Sequence, residues 1–401
     1  MAQLLYGVVC TAVLAVLTSA KPTGSEEMAV ELRMPEVQPK LHDTYLCVPM
    51  QAGKKASYIT GFLPHANSST AHHMLIYGCA VPFKTDQIWN CGEMASKNSD
   101  VEQGPVCTEG AKILYAWAMD ATSLHLPKDV AFKVGGNSEI NWVVLQVHYK
   151  DVHLFLPPYN QKDHSGVTML VTETPKPKRA GVYLLATDGE VAPNAVTYME
   201  AACSYEQPMT IHPFAYRTHA HDHGEVVSGY RVRNGQWTEL GRKSPKLPEM
   251  FYNVTHAGIT ILPGDILAAR CTMVNHENRT VAIGSTVKDE MCNFYLMYWV
   301  DGEDIMDENY CVSPGPPSWY WSDVHAIHAE NVPADASVVP GTTEVIKATG
   351  AKVVVENDLD QVKDEFIQLL ENFRDRVEAG GNPEPEPRDE EPENFNYYHY
   401  P

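Results

Sequence analysis

Three catalytic signatures are absent from this chain of 401 residues. It has no Gly-x-Ser-x-Gly nucleophile turn, no phosphate-cradling Gly-rich loop and no His-Glu-x-x-His. The common serine hydrolase, nucleotide-hydrolysing and zinc protease designs are thereby set aside. No carboxylate pair stands out for glycoside hydrolysis either. Basic residues are scarce, 30 Lys and Arg against 51 Asp and Glu, for a formal net charge of −21. A nucleic-acid partner calls for the opposite balance. Helical periodicity is rare between roughly residues 40 and 330. No segment, the N-terminal run included, has the roughly 20 consecutive apolar residues that a membrane-spanning helix needs.

The N-terminal run itself, Leu4 to Leu17 followed by Thr18-Ser19-Ala20, reads as a secretory signal peptide over residues 1–20. It has no basic residue ahead of the apolar stretch, and it is too short to span a bilayer. The expected mature protein is secreted and soluble. Cysteine usage agrees. Cys10 leaves with the leader, and eight remain in two groups of four: Cys47, Cys79, Cys91 and Cys107, then Cys203, Cys271, Cys292 and Cys311. An even set in an oxidising compartment argues for disulfides, with each half carrying its own. Asn67, Asn253 and Asn278 head glycosylation sequons.

Between the two cysteine groups lies Glu173-Thr174-Pro175-Lys176-Pro177-Lys178-Arg179, a linker that divides a domain at 28–176 from one at 177–335. Both are patterned as short β runs broken by turn residues. Trp142–Tyr149, Gly181–Leu185 and Asn293–Val300 are such runs, and Asn234-Gly235 marks a tight hairpin. The expected class is all-β, antiparallel sandwiches side by side. A linker at 336–356 would lead to an amphipathic helix at 357–378, with Val362, Phe366, Leu369, Leu370, Phe373 and Val377 at helical spacing. An acidic, unstructured tail would follow at 379–401. From Glu356 to Pro401, 14 acidic and 4 basic residues leave a local charge of −10, about half of the total.

The chemistry-bearing residues fall in both halves. In Tyr216-Arg217-Thr218-His219-Ala220-His221, strand parity puts Arg217, His219 and His221 on one face. In Glu290-Met291-Cys292-Asn293-Phe294-Tyr295, the same parity puts Met291, Asn293 and Tyr295 opposite an apolar face. Two imidazoles and a soft thioether suit copper better than zinc or magnesium. The first half offers His72-His73 and His148, with Gln146 on the face of His148. Adjacent residues on a regular strand point apart, so His72 and His73 can meet only at a bend or bulge, which Asn67-Ser68-Ser69-Thr70 makes plausible. Three imidazoles fit copper or equally a catalytic zinc.

Taken together, His72-His73-Met74-Leu75, Leu145-Gln146-Val147-His148-Tyr149 and the two segments around His219 and Met291 resemble the peptidylglycine α-hydroxylating monooxygenases of the copper type II, ascorbate-dependent family. Ile113–Ala118 and Val226–Trp237 look like the same family, and the match runs from about Met28 to about Pro333. The resemblance implies two jelly-roll domains facing each other across a solvent-filled cleft, each with one copper. His72, His73 and His148 would hold the electron-transfer copper, with Tyr45 and Gln146 as outer neighbours. His219, His221 and Met291 would hold the copper where oxygen is activated. Arg217, Asn293 and Tyr295 would anchor the carboxylate of a glycine-extended peptide, with O2 and ascorbate as co-substrates. The family pattern pairs Cys47 with Cys91, Cys79 with Cys107, Cys203 with Cys311, and Cys271 with Cys292.

The chain departs from the vertebrate pattern in three ways. His164 stands where a further disulfide would need a cysteine, the Cys91–Cys107 loop is longer, and the expected helix and tail would stand where the lyase domain often follows. A separate lyase downstream, and storage in secretory granules, are expected on this reading. The nearest rival is a dopamine or tyramine β-hydroxylase type, whose substrates carry no carboxylate for Arg217. A non-catalytic secreted copper-binding sandwich is the rival from another class.

Overall fold

The computed structural model describes residues 27–92, 101–284, 288–302, 305–306, 309–343 and 345–348. The expected signal peptide, amphipathic helix and acidic tail lie outside the described residues, as does the end of the expected linker. Among the described residues the architecture is sheet, with helix confined to short 3-10 turns. The alternating runs become strands where the sequence marks them: Trp142–Tyr149, Lys178–Thr187 and Cys292–Asp301. Asn234 and Gly235, at φ 52° and 71°, close the hairpin between Gly224–Arg233 and Gln236–Lys243. Positive φ at both central residues is what a twist-matched two-residue turn demands, and Asn-Gly supplies it with little strain.

One long sheet runs through the molecule. Its order is Met28–Arg33, Gly166–Thr172, Ser57–His65, Val130–Val134, Lys178–Thr187, Cys292–Asp301, His212–Ala220 and Tyr252–Asn253. A five-stranded sheet, Trp89–Asn90, Thr44–Gln51, Trp142–Tyr149, His73–Cys79 and Lys112–Ala118, covers its first half. A four-stranded sheet, Ala195–Ser204, Ile266–Asn275, Gly224–Arg233 and Gln236–Lys243, covers its second. Each half is thus a sheet packed on a sheet. Phe62 and Phe132 meet Met74 and Leu145 in the first core, while Phe294 and Leu296 meet Val227 and Leu267 in the second.

The halves are not separate bodies. Val130 and Ala131 pair in parallel with Lys178 and Arg179. The first core also takes in Ala180, Val182, Ala215, Phe251, Tyr295 and Met297 from the second half. Of the expected inter-domain linker, Lys178 and Arg179 are already in strand, paired with Asp301 and Val300. The segment read as linker from 336 is packed at its start. Ser228 donates to Ala336 O (3.0 Å), Thr272 to Ser337 Oγ (2.8 Å) and Tyr198 to Ile346 O (2.8 Å). Ser228 and Thr272 are fully buried hydroxyls, and this segment gives them the partners that buried polar groups require.

Four disulfides form, the four that the resemblance implies: Cys47–Cys91, Cys79–Cys107, Cys203–Cys311 and Cys271–Cys292. They mark an oxidising compartment. The first two pack with Trp89 and Val144 on the outer face of the five-stranded sheet. The sequon residues Asn67, Asn253 and Asn278 are all exposed.

Candidate metal centres

His73 opens the strand His73–Cys79 and pairs across the sheet with His148. His72 sits in the preceding bend, and its backbone N–H donates to His148 O at 2.9 Å. The bend releases His72 from strict alternation, so two sequence neighbours converge. Ligand-capable atoms of His72, His73 and His148 all lie within 4.8 Å of one another. His148 Nε2 is 3.2 Å from Asp43 Oδ1, while its buried Nδ1 has no hydrogen-bond partner. An orphaned buried nitrogen is costly by itself. Beside two further imidazoles, it completes a donor set that fits copper.

Burial, with positive neighbours behind it, pushes His148 down to about 3. It also pushes His72 to about 4, although part of that ring meets solvent, and holds His73 well below its ordinary value. The three rings are neutral at neutral pH, as metal ligands must be. Tyr45 stacks on His148 with centroids 4.0 Å apart and meets His73 edge-on at 5.7 Å. A Cβ at Gly92 would lie 2.6 Å from the Tyr45 ring, so this close approach requires glycine. Gln146 donates to Cys91 O at 3.3 Å and so bonds to the disulfide strap rather than to a histidine.

The second group spans two paired strands. His219 lies opposite Asn293 and Ala220 opposite Cys292, with His221 just past the end of His212–Ala220 and Met291 just before Cys292–Asp301. The His219 and His221 ring centroids are 5.5 Å apart. His219 Nδ1 lies 2.9 Å from both oxygens of Glu249, and His221 Nδ1 lies 2.9 Å from Asp289 O. Each ring therefore has Nε2 left for a metal. Asn293 Nδ2 approaches Met291 Sδ at 3.9 Å and Tyr295 Oη at 3.4 Å, so the parity-matched residues do share a face. Arg217 is 4% exposed and lies over the Tyr295 ring at 5.1 Å, with its guanidinium paired to the Glu249 carboxylate.

Three anionic groups had no assigned part in the sequence reading. Asp43 backs His148, from a left-handed turn position at φ 54°. Glu249 joins Arg217 to His219 from a Pro-bounded loop that carries no periodic signal. Glu290 is fully buried directly before Met291, the one position a reader of the motif could have flagged. Burial alone would push Glu249 up, but His219 and Arg217 outweigh it and hold its carboxyl below the ordinary value. The two groups lie within reach of each other's charge: Glu249, His219 and His221 act on His72, and His219 and Arg217 on His73. Thr122 of the first half also donates to Met250 Sδ of the second at 3.6 Å.

Two domain descriptions match the chain in order. The copper type II ascorbate-dependent monooxygenase N-terminal domain covers residues 30–155, and the C-terminal domain of the same enzymes covers 178–324. The chain belongs to the copper type II ascorbate-dependent monooxygenases. Membership implies copper and ascorbate, and both donor sets above fit that metal. The chain is 42% identical over 319 residues to peptidyl-glycine alpha-amidating monooxygenase B of Xenopus laevis, a match covering 79% of this chain and 34% of that one. It is 40% identical over 343 residues to peptidyl-glycine alpha-amidating monooxygenase of Mus musculus, covering 84% and 32%. Dopamine beta-hydroxylase of Bos taurus is more distant, 26% identical over 330 residues, covering 77% and 52%. The family match thus spans about a third of the length of the amidating relatives.

Proposed function

We propose that the chain hydroxylates the α-carbon of the C-terminal glycine in glycine-extended peptides, the first step of C-terminal amidation. The observation that carries this reading is the placement of Arg217, Asn293 and Tyr295 on one face with His219 and Met291. A buried cation with two hydrogen-bonding neighbours, adjoining metal-binding donors, suits a substrate whose carboxylate is one bond from the reacting carbon. Copper, held by His72, His73 and His148 and again by His219, His221 and Met291, would supply the one-electron chemistry linking ascorbate and O2 to the C–H bond.

The protein's own residues orient the substrate and the ligands. Arg217 directs the glycine carboxylate, and Asn293 and Tyr295 offer hydrogen bonds to the same oxygens. Glu249 and Asp289 O fix the His219 and His221 rings through Nδ1. Asp43, at Nε2, and the stacked Tyr45 ring hold His148. One oxygen atom of O2 enters the C–H bond and the other leaves as water, with two electrons from ascorbate and two protons. The hydroxyglycine product then yields the peptide amide and glyoxylate, through a separate lyase acting downstream. Passage through secretory granules belongs to the same reading.

The test is copper-dependent oxygen uptake by the full chain with ascorbate, comparing a glycine-extended peptide, tyramine and buffer. Uptake with the peptide alone, and a product heavier by one oxygen, is expected. Turnover of tyramine instead would replace this reading with the phenylethylamine type, and no uptake with either would leave a copper-binding protein.

A further inference from the structure

Glu249 sits between the two tasks of the second centre. Its side chain is 8% exposed, and both carboxylate oxygens lie 2.9 Å from His219 Nδ1. One of these oxygens also receives the Arg217 guanidinium, and Arg217 Nε donates to the Glu249 main-chain oxygen at 3.3 Å. The carboxylate comes from a loop, whereas Arg217 and His219 come from a strand. That loop is tied down at Pro248, whose carbonyl accepts from Met250 N at 3.0 Å and from Tyr252 Oη at 2.6 Å. Glu249 is therefore held in place independently of the two groups it bridges.

Resting on the function proposed above, we propose that Glu249 is a positioning residue with two separable effects. It holds the His219 ring so that Nε2 is presented to the metal, and it offsets part of the charge with which Arg217 draws the substrate carboxylate. The first effect follows from general metal-site behaviour: a carboxylate on the far nitrogen of a ligand histidine fixes its tautomer and orientation. The second follows from donor counting. A guanidinium has five N–H donors, so Arg217 can serve a second carboxylate. Two carboxylates around one guanidinium repel, however, so the glycine end is held less tightly than by an unpaired arginine. A site that must release its product after each turnover gains from that restraint.

Glu249→Gln separates the effects, because an amide oxygen can still accept from His219 Nδ1–H while the charge is gone. Copper content and affinity would be read by titration with a competing chelator, and peptide affinity by calorimetry on the copper-loaded full chain. For Glu249→Gln, two coppers should bind with near wild-type affinity while the Kd for a glycine-extended peptide tightens by about tenfold, the scale of one partly screened charge. For Glu249→Ala, one of the two coppers should weaken by about 10–100-fold, the usual loss when the partner of a ligand histidine is removed. A merely structural role would not restore copper with Gln while moving peptide affinity. Wild-type peptide affinity in Glu249→Gln, or equal loss of copper in both variants, would overturn the proposal. If the wild-type chain binds two coppers but no glycine-extended peptide, the function above fails instead, and the copper measurements still judge the first effect.

Discussion

The buried carboxylate of Glu290 accepts the backbone N–H of His221, so the residue before one proposed copper ligand, Met291, holds the main chain of another. The same carboxylate accepts from Met291 N at 2.8 Å and from His223 N at 2.9 Å. One side chain thus closes the ends of both strands that form the second centre. Glu290→Ala leaves three backbone donors without their acceptor. At about 1–3 kcal/mol per buried unpaired donor, and with water replacing part, a loss of about 3 kcal/mol is expected. Urea midpoints at unchanged slope would show it. A variant as stable as the wild type would mean that the clamp is dispensable.

Met291→Ile keeps the bulk of the side chain and removes the thioether, the donor that suits reduced copper. Turnover should vanish while one copper, at His72, His73 and His148, stays bound. Metal analysis alongside the oxygen assay checks this. Full turnover in a two-copper variant would remove Met291 from the ligand set.

Arg217→Ala should weaken peptide binding and also strip Glu249 of its buried counter-charge. Breaking a buried pair from one side costs about 3–5 kcal/mol, mostly because the remaining charge is left uncompensated. Adding Glu249→Ala to the same chain should therefore recover part of the lost stability without restoring peptide affinity. A double-mutant cycle in urea measures this coupling, and simple additivity would argue against the pair.

Acid should weaken the metal-free protein. The His148 imidazole, its side chain 5% exposed, is pushed down to about 3 by burial and the neighbouring His72. In the unfolded chain it takes a proton near its ordinary value of about 6.5. Between those values the unfolded state binds the extra proton, so stability is present above pH 6.5 and falls progressively as the pH drops toward 3. Unfolding of chelator-treated protein at pH 7 and pH 5 would show the slope, and His148→Asn should flatten it. Equal slopes in the two proteins would contradict the burial argument.

Much of this was legible in the sequence because a strand fixes side-chain direction by parity. That rule alone placed Met291, Asn293 and Tyr295 together and set Phe294 and Leu296 into the core. Turn chemistry, not parity, marked Asn234-Gly235 as a hairpin, since few sequences tolerate two positive φ values in a row. The convergence of His72 with His73 is what parity forbids on a regular strand; it needed a bend, at which only the upstream turn residues hinted. Asp43 and Glu249 escaped because each acts from a loop, where no period links a residue to its target. The joining of the two halves escaped for a similar reason: a parallel pairing such as Val130 with Lys178 leaves no turn signature between its partners.

That joining bears on how far the chain is modular. Domain descriptions match 30–155 and 178–324 as if they were separate pieces, and Pro175 and Pro177 look like a place to cut. Severed there, the first piece would lose Ala180, Val182, Tyr295 and Met297 from its interior, and the second would bare them to water. Neither excised half would be a smaller version of the whole. The spacing of the two histidine groups is set by a shared interior, so a change in either half is felt as a change in the pair.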